Sequence, residues 1–333
     1  MEIINGIDRW NSADRRSLTL ALGNFDGVHR GHQAIIRTAV DMAGAAQGRS
    51  AALLFDPHPS MLLRPDPSFA LLTDLVDRAE LMAGLGLDYV IVEPFTGDLA
   101  ALPPERFVED ILVHKLAVSG VVVGYDYSFG HGGRGNTETM AALGKKYGFT
   151  VTICPAIRYK QKIVSSSAAR DLLQKGAVAE AAGLLNYYFF RHGKVVRGSG
   201  IGSKILYPTA NIEIPARLIQ PGQGVYLTAV AGPAGGELLF GVTNVGARPT
   251  FASSGAAIET HILDFHGNLY GRPICLYFLE KLRDTRAFSS PRLLKEQISR
   301  DIFRARKLID RRYRRQIAEG RSTPGLKEIG VKG

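Results

Sequence analysis

The chain has 333 residues, is 45% hydrophobic and carries a formal net charge of +10. That length favours two domains with ordinary cores. Its two cysteines, Cys154 and Cys275, have no C-x-x-C partner or nearby histidine pair, so no disulfide framework or zinc site is indicated. No apolar run approaches the roughly 18 residues that span a bilayer, and Met1 to Trp10 has no signal-peptide core. A reducing cytoplasm is the expected location, with no membrane partner.

The first half alternates apolar runs with helical patterns. Strands are expected at Leu18–Leu22, Ala51–Phe55, Tyr89–Glu93, Gly120–Gly124 and Thr150–Pro155. Helices are expected at Gln33–Ala46, Leu75–Leu85, Pro104–Lys115 and Thr137–Tyr147. Continuous apolar strands separated by helices predict a parallel sheet covered on both faces. Its ligand crevice lies at the carboxyl ends of the strands.

Each special segment follows such an end. Gly23-Asn24-Phe25-Asp26-Gly27-Val28-His29-Arg30-Gly31-His32 joins the first strand to the first helix. Backbone N–H groups and the positive end of a helix dipole face an anion there. His29 and His32, three residues apart, share one face of a first helical turn. Two imidazoles in that position can grip a polyphosphate and stabilise charge during phosphoryl transfer. Phe55-Asp56-Pro57-His58-Pro59 is a loop stiffened by two prolines. Gly124 to Asn136 combines aromatic faces with glycines that permit close approach. Val164 to Arg170 opens a helix with Ser165, Ser166 and Ser167, which can cap it or bind phosphate oxygens.

After about Lys175 the pattern changes. A short helix is expected at Ala177–Leu185. Strands follow at Gly224–Val230, Glu237–Val245, Ile258–Phe265 and Ile274–Leu282 with no helices between them, which predicts an antiparallel sheet or small barrel. A helix closes the chain from about Pro291 to Ala318. It holds Arg300, Arg304, Arg306, Lys307, Arg311, Arg312, Arg314 and Arg315 against Asp301 and Asp310. A basic helix can bind nucleic acid, but no aromatic stacking platform is interleaved with this one, which argues against a nucleic-acid partner.

G-N-F-D-G-V-H-x-G-H resembles the adenylyltransferase signature of prokaryotic bifunctional riboflavin kinase/FAD synthetases. Pro57-His58-Pro59 is similar to that family's F-x-P-H-P loop, and Gly124 to Gly130 to its G-x-D-F-x-F-G loop. Ser165 to Arg170 is similar to its S-S-T-x-x-R element, with Ser167 in place of threonine. Tyr207-Pro208-Thr209-Ala210-Asn211 resembles the P-T-A-N motif of the kinase module.

The resemblance implies an α/β fold: a Rossmann-like nucleotidyltransferase domain (1–184), then a small antiparallel β-barrel riboflavin kinase domain (185–320) with a C-terminal helix. Residues 321–333 are expected to be a disordered tail. The implied chemistry is phosphorylation of riboflavin to FMN and adenylylation of FMN to FAD, with ATP as co-substrate and Mg²⁺ as cofactor. His29, His32, Arg170 and Glu259 are the implied catalytic residues, with Glu259 as the base for the riboflavin 5′-hydroxyl. ATP falls to Gly23, Asn24, Phe25, Asp26, Gly31, Ser166, Ser167, Thr209 and Asn211, and the metal to Thr209 and Asn211. The flavin falls to Pro57, His58, Pro59, Asp126 and Phe129. The partners are these small molecules, and homo-oligomerisation stays open. Ser203 stands where the family has arginine, and Leu206 where it has glycine. Those departures motivate an alternative, an FMN adenylyltransferase with a degenerate flavin-binding kinase module.

Overall fold

The computed structural model describes residues 1–10, 17–197, 207–232, 238–247 and 256–313. The chain divides into two compact units, Met1–Ser166 and Ser167–Gly333.

In the first unit, β1 (Glu2–Asn5), β2 (Leu18–Leu22), β3 (Arg49–Asp56), β4 (Tyr89–Pro94), β5 (Val118–Gly124) and β6 (Thr150–Cys154) form one parallel sheet in the order β1-β4-β3-β2-β5-β6. The helices are α1 (Arg30–Ala45), α2 (Pro59–Leu63), α3 (Leu75–Ala83), α4 (Gly97–Ala101), α5 (Pro104–Arg106) and α6 (Thr137–Tyr147). Strand residues alternate between two apolar layers. Leu20, Leu22, Leu53 and Val121 pack with Phe107, Leu112 and Met140. Ala21, Ala52, Leu54 and Val122 pack with Ile35, Ile36 and Ala39 of α1. Every residue of β2 is buried, which explains why its sequence reads as a continuous apolar run rather than an alternation.

The connection from β2 runs through α1 to β3 on one side, and that from β5 runs through α6 to β6 on the other. The chain therefore reverses its winding between β2 and β5, and a crevice opens beyond their carboxyl ends. Three local features lacked a sequence signal. β1 is a short edge strand paired with β4. The helix expected over 104–115 turns π-helical from Phe107 to Lys115. A two-stranded hairpin, β7 (Arg158–Tyr159) and β8 (Lys162–Ile163), follows β6.

The second unit begins with α7 (Ser166–Gln174, whose first residue belongs to the first unit) and α8 (Val178–Leu185), which packs on β14 (Pro273–Arg283). β9 (Phe190–Val196), β10 (Ala210–Glu213), β11 (Gly224–Ala231), β12 (Leu239–Ala247), β13 (Ala256–Ile262) and β14 close into an antiparallel barrel in the order β10-β13-β12-β11-β14-β9. Closure leaves no free strand edge. Inside the barrel the hydroxyls of Thr228, Thr243 and Thr260 form a chain, 2.7 Å and 2.9 Å between successive oxygens. The Thr228 hydroxyl donates to the Gly241 carbonyl at 3.2 Å, so this buried polar run is satisfied at its end.

α9 (Pro291–Leu308) follows the barrel. Ser290 caps it, and proline stands at its first position. Its Asp301 is buried, and its two oxygens share a forked hydrogen bond from Arg283 Nε–H, at 2.9 and 3.1 Å. Much of its positive charge is spent internally. Arg306 pairs with Asp264 at 2.6 Å, Arg312 of the following turn pairs with Glu280 at 3.3 Å, and Arg304 donates to the Leu282 carbonyl.

Candidate active sites

The first site is built on the β2–α1 turn. Gly27 has φ 79°, and a Cβ there would stand 2.6 Å from Leu72 Cδ1, so glycine is required on both counts. Phe25 (φ 50°) and Val28 (φ 35°) also hold left-handed backbone, at a cost of about 1–3 kcal/mol each. Both side chains are fully buried, and that packing holds them in place.

Asp26 braces the turn. Its buried carboxylate accepts from the Leu72 amide (3.0 Å), the Thr73 amide (3.1 Å) and the Thr73 hydroxyl (3.3 Å), and Arg78 lies 3.8 Å away. Arg78 also donates to the carbonyls of Asn24 (3.0 Å) and Thr73 (3.3 Å), and the Gly27 amide donates to Thr73 Oγ1 at 2.9 Å. Asp26 therefore acts on the turn's shape. The side chain of Asn24 is exposed.

His29 is the N-cap of α1, and its Nδ1 accepts from the His32 amide at 3.3 Å. The two imidazoles stack, with centroids 3.6 Å apart and planes 15° from parallel, and Phe25 lies edge-on to His32 at 5.2 Å. A Cβ at residue 31 would lie 3.2 Å from His29 Cε1, so Gly31 leaves room for the stack. His32 Nδ1 is buried without a hydrogen-bond partner. Burial first, then the neighbouring His29 and Arg78, hold its pKa well below the usual 6.5. At neutral pH His32 is an uncharged imidazole beside a helix N-terminus, an electrophilic surface ready for an anion. The hydroxyl of Ser166, the last residue of the first unit and the first of α7, donates to the Asp26 carbonyl at 2.8 Å. Ser167 is exposed, and Arg170 is half-buried one turn along.

The loops expected to hold flavin lie at the carboxyl ends of β3 and β5. Pro57 follows a cis peptide bond. His58 is buried, caps α2 by accepting from the Ser60 amide at 3.2 Å, and lies 5.3 Å from the Phe69 ring. Pro59 starts α2. Asp126 and Tyr125 are exposed. Phe129 is a core residue, packed on Phe107 (5.8 Å) and Tyr127 (5.7 Å). Tyr125 is the freely presented aromatic ring of that loop.

The second site lies on the outer face of the barrel. Asn211 of β10 pairs in register with Glu259 of β13. Both side chains are half-buried, whereas Ile258 and Thr260 point into the core. Thr209 is positioned by its neighbour: the Pro208 carbonyl accepts from His261 Nδ1 at 2.9 Å. Tyr207 lies edge-on to His261 at 5.3 Å, and its hydroxyl is 2.9 Å from Ser299 of α9. Ser203 and Leu206 lie outside the described residues. Sequence reasoning missed Thr73 and Arg78, because a bracing partner some 50 residues away leaves no local pattern.

A parallel sheet with a histidine-bearing helix N-terminus at its switch point, followed in the chain by a closed barrel with an acid–amide pair on its face, defines a two-module nucleotide-dependent transferase. A family model described as FAD synthetase matches residues 11–168, and one described as riboflavin kinase matches residues 185–309. The chain belongs to the bifunctional riboflavin kinase/FMN adenylyltransferase family. Relatives of that name are 37% identical in Escherichia coli K12 (92% of this chain, 97% of that protein), 37% in Listeria monocytogenes (88% and 92%) and 36% in Bacillus subtilis (85% and 89%).

A crystal structure described as a macrolide-efflux protein from Streptococcus pneumoniae matches with a TM-score of 0.83 at 26% identity, over 91% of this chain and 98% of that one. Its description names another activity. Among the described residues no helix is long and apolar enough to cross a membrane. The two family models and the nearer relatives carry the assignment. The chain phosphorylates riboflavin to FMN and adenylylates FMN to FAD, so the second module is a kinase and not a degenerate flavin-binding module.

Proposed function

We propose that the two reactions use two sites, the histidine turn for adenylyl transfer and the barrel face for phosphorylation. In adenylyl transfer, the FMN phosphate attacks the α-phosphorus of ATP and pyrophosphate leaves. The nucleophile is already anionic, so alignment and charge stabilisation dominate over base catalysis. His29 and His32 hold the polyphosphate, with Ser166, Ser167 and Arg170 from α7. Gly23, Asn24, Phe25, Asp26 and Gly31 shape the turn that receives ATP. Pro57, His58, Pro59, Asp126 and Phe129 form the walls for FMN, with His58 and Phe129 acting through the loops they hold. The observation that carries this reading is the stacked His29–His32 pair on a helix N-terminus, with the Ser166 hydroxyl bonded to the same turn.

In phosphorylation, Glu259 accepts the proton of the riboflavin 5′-hydroxyl as that oxygen attacks the γ-phosphorus of ATP, the bond from the γ-phosphorus to the bridging oxygen breaks, and ADP leaves. Thr209 and Asn211 are suited to Mg²⁺. They offer neutral oxygens, and no side-chain partner competes for them among the described residues. Thr209 and Asn211 would hold the ion beside the phosphates of ATP. Mg²⁺, when bound, neutralises the polyphosphate. Residues 1–184 and 185–320 are the two functional domains. Cytoplasmic location fits the cysteine usage.

The test uses two substrates. His32→Ala is expected to lower FAD formation from supplied FMN by at least about a hundredfold while FMN formation from riboflavin persists. Parallel loss of both products rejects separate sites.

A further inference from the structure

The barrel register places a third polar residue beside the kinase pair. Glu259 is flanked on both sides: Asn211 of β10 is its partner on one side, and Asn244 of β12 is its partner on the other. Directly opposed residues on one sheet face have Cβ atoms about 4.5–5.5 Å apart. Asn211, Glu259 and Asn244 thus form one row across three strands on the outer face. None of the three has a side-chain hydrogen bond or ion pair among the described residues.

The row is held from behind. Thr243 precedes Asn244, Thr260 follows Glu259, and their hydroxyls meet inside the barrel at 2.9 Å. A slip of one residue would break that contact and turn Asn244 or Glu259 inward. A rigid backbone under three uncommitted polar side chains is the arrangement of a preorganised site. Along that face the ionisable neighbours of Glu259 are His261 on its own strand, Glu213 on β10 and Lys194 on β9, the last two paired with each other.

We propose that Asn244 is a positioning residue of the kinase site. With riboflavin bound, its amide Nδ2–H donates to one carboxylate oxygen of Glu259, a bond the unliganded row does not make, and leaves the other oxygen to accept the hydroxyl proton of riboflavin. The proposal rests on the assignment of Glu259 as the base and adds the group that aims it. Asn211 is then left to face the nucleotide and its metal.

Asn244→Ala and the near-isosteric Asn244→Asp test this. Asn244→Ala is expected to lower kinase kcat about tenfold or more, with the KM for ATP little changed, since an unaimed base loses turnover rather than nucleotide binding. Asn244→Asp keeps the shape of the side chain and removes its Nδ2–H donor, so kinase kcat is expected to fall at least as far while the melting of the second unit stays close to wild type. A merely structural asparagine would tolerate this near-isosteric change in turnover as in melting. An Asn244→Asp enzyme with wild-type kinase kcat overturns the proposal, whatever Asn244→Ala does. Glu259→Gln separates the two layers. Full kinase turnover in that variant removes the base assignment itself. Its loss together with wild-type kcat in Asn244→Asp removes only Asn244.

Discussion

The two sites are built by opposite means. In the first unit the functional groups sit on turns between strands and helices, and the turns are held by contacts far away in sequence. The Asp26 carboxylate reaches the backbone of residues 72 and 73, and Arg78 returns to the Asn24 carbonyl. In the second unit the functional groups sit on strands, and the barrel register alone fixes who faces whom. A turn has no ladder of its own and needs buried charge to keep its shape. A closed barrel has a ladder on every side, so its surface positions can stay uncommitted. Substitutions should therefore separate shape from chemistry in different ways at the two sites.

The largest effect is expected where chemistry is most exposed. Glu259→Gln keeps the size of the side chain and removes the base, so riboflavin phosphorylation should fall by about 10²–10⁴. Adenylylation of supplied FMN should continue, and the melting of the second unit should stay close to wild type. Steady-state assays on the two substrates with product separation measure this. A large stability loss would mean that the barrel face is not as free as its lack of side-chain partners indicates.

The counterpart in the first unit is Asp26→Ala. It strands Arg78 and three buried donors, and breaking a buried ion pair from one side costs about 3–5 kcal/mol. Denaturant unfolding should register that cost in the first unit. FAD synthesis should be lost mainly through stability, and added FMN and Mg-ATP should recover part of it by binding the folded form. An Asp26→Ala protein of wild-type stability with dead adenylyltransferase would instead make Asp26 a ligand to substrate.

A smaller effect is expected from Thr243→Val. It breaks the hydroxyl chain and leaves Thr260 without its inner partner, at a cost of about 1–3 kcal/mol. The effect should appear in the melting of the second unit, with kinase turnover reduced less than in Asn244→Ala.

How far these sites can be read from residue order follows from the same contrast. The parallel sheet was legible because buried strands are continuously apolar, and β2 is buried at every position. The histidine turn was legible because its glycines, histidines and strand-to-helix setting are local. β1 was not, since four residues at a sheet edge with an exposed pattern carry no period. The roles of Asp26 and Phe129 were only half legible. An aspartate beside a glycine in a nucleotide turn reads as a ligand, yet its acceptor sites are filled by amides some 46 residues away. An aromatic in a glycine loop reads as a stacking platform, yet Phe129 is core. In the barrel, Thr209 and Asn211 stood out through their motif. Asn244 did not, because its significance is a register, and register is a property of pairs of strands.

The finest difference between the sites concerns a proton. The pKa of His32 is held below the unfolded value by burial, His29 and Arg78. The unfolded chain therefore binds this proton more readily than the folded one. The stability the group contributes is fully present above about pH 6.5 and is lost as pH falls from there toward the folded pKa. In that window the slope from this single group can reach at most about 1.4 kcal/mol per pH unit. Melting of the first unit should thus fall between pH 7.5 and 5.5, and His32→Gln should flatten that fall. Polyphosphate acts in the opposite direction, since an anion beside the imidazole favours its charged form. Mg-ATP binding near pH 6 should therefore take up protons, seen as a buffer-dependent calorimetric heat that His32→Gln reduces. Wild-type and His32→Gln proteins with identical pH slopes, and no proton uptake on binding, would place the nucleotide away from the stacked pair and leave the two modules with no electrostatic difference to explain.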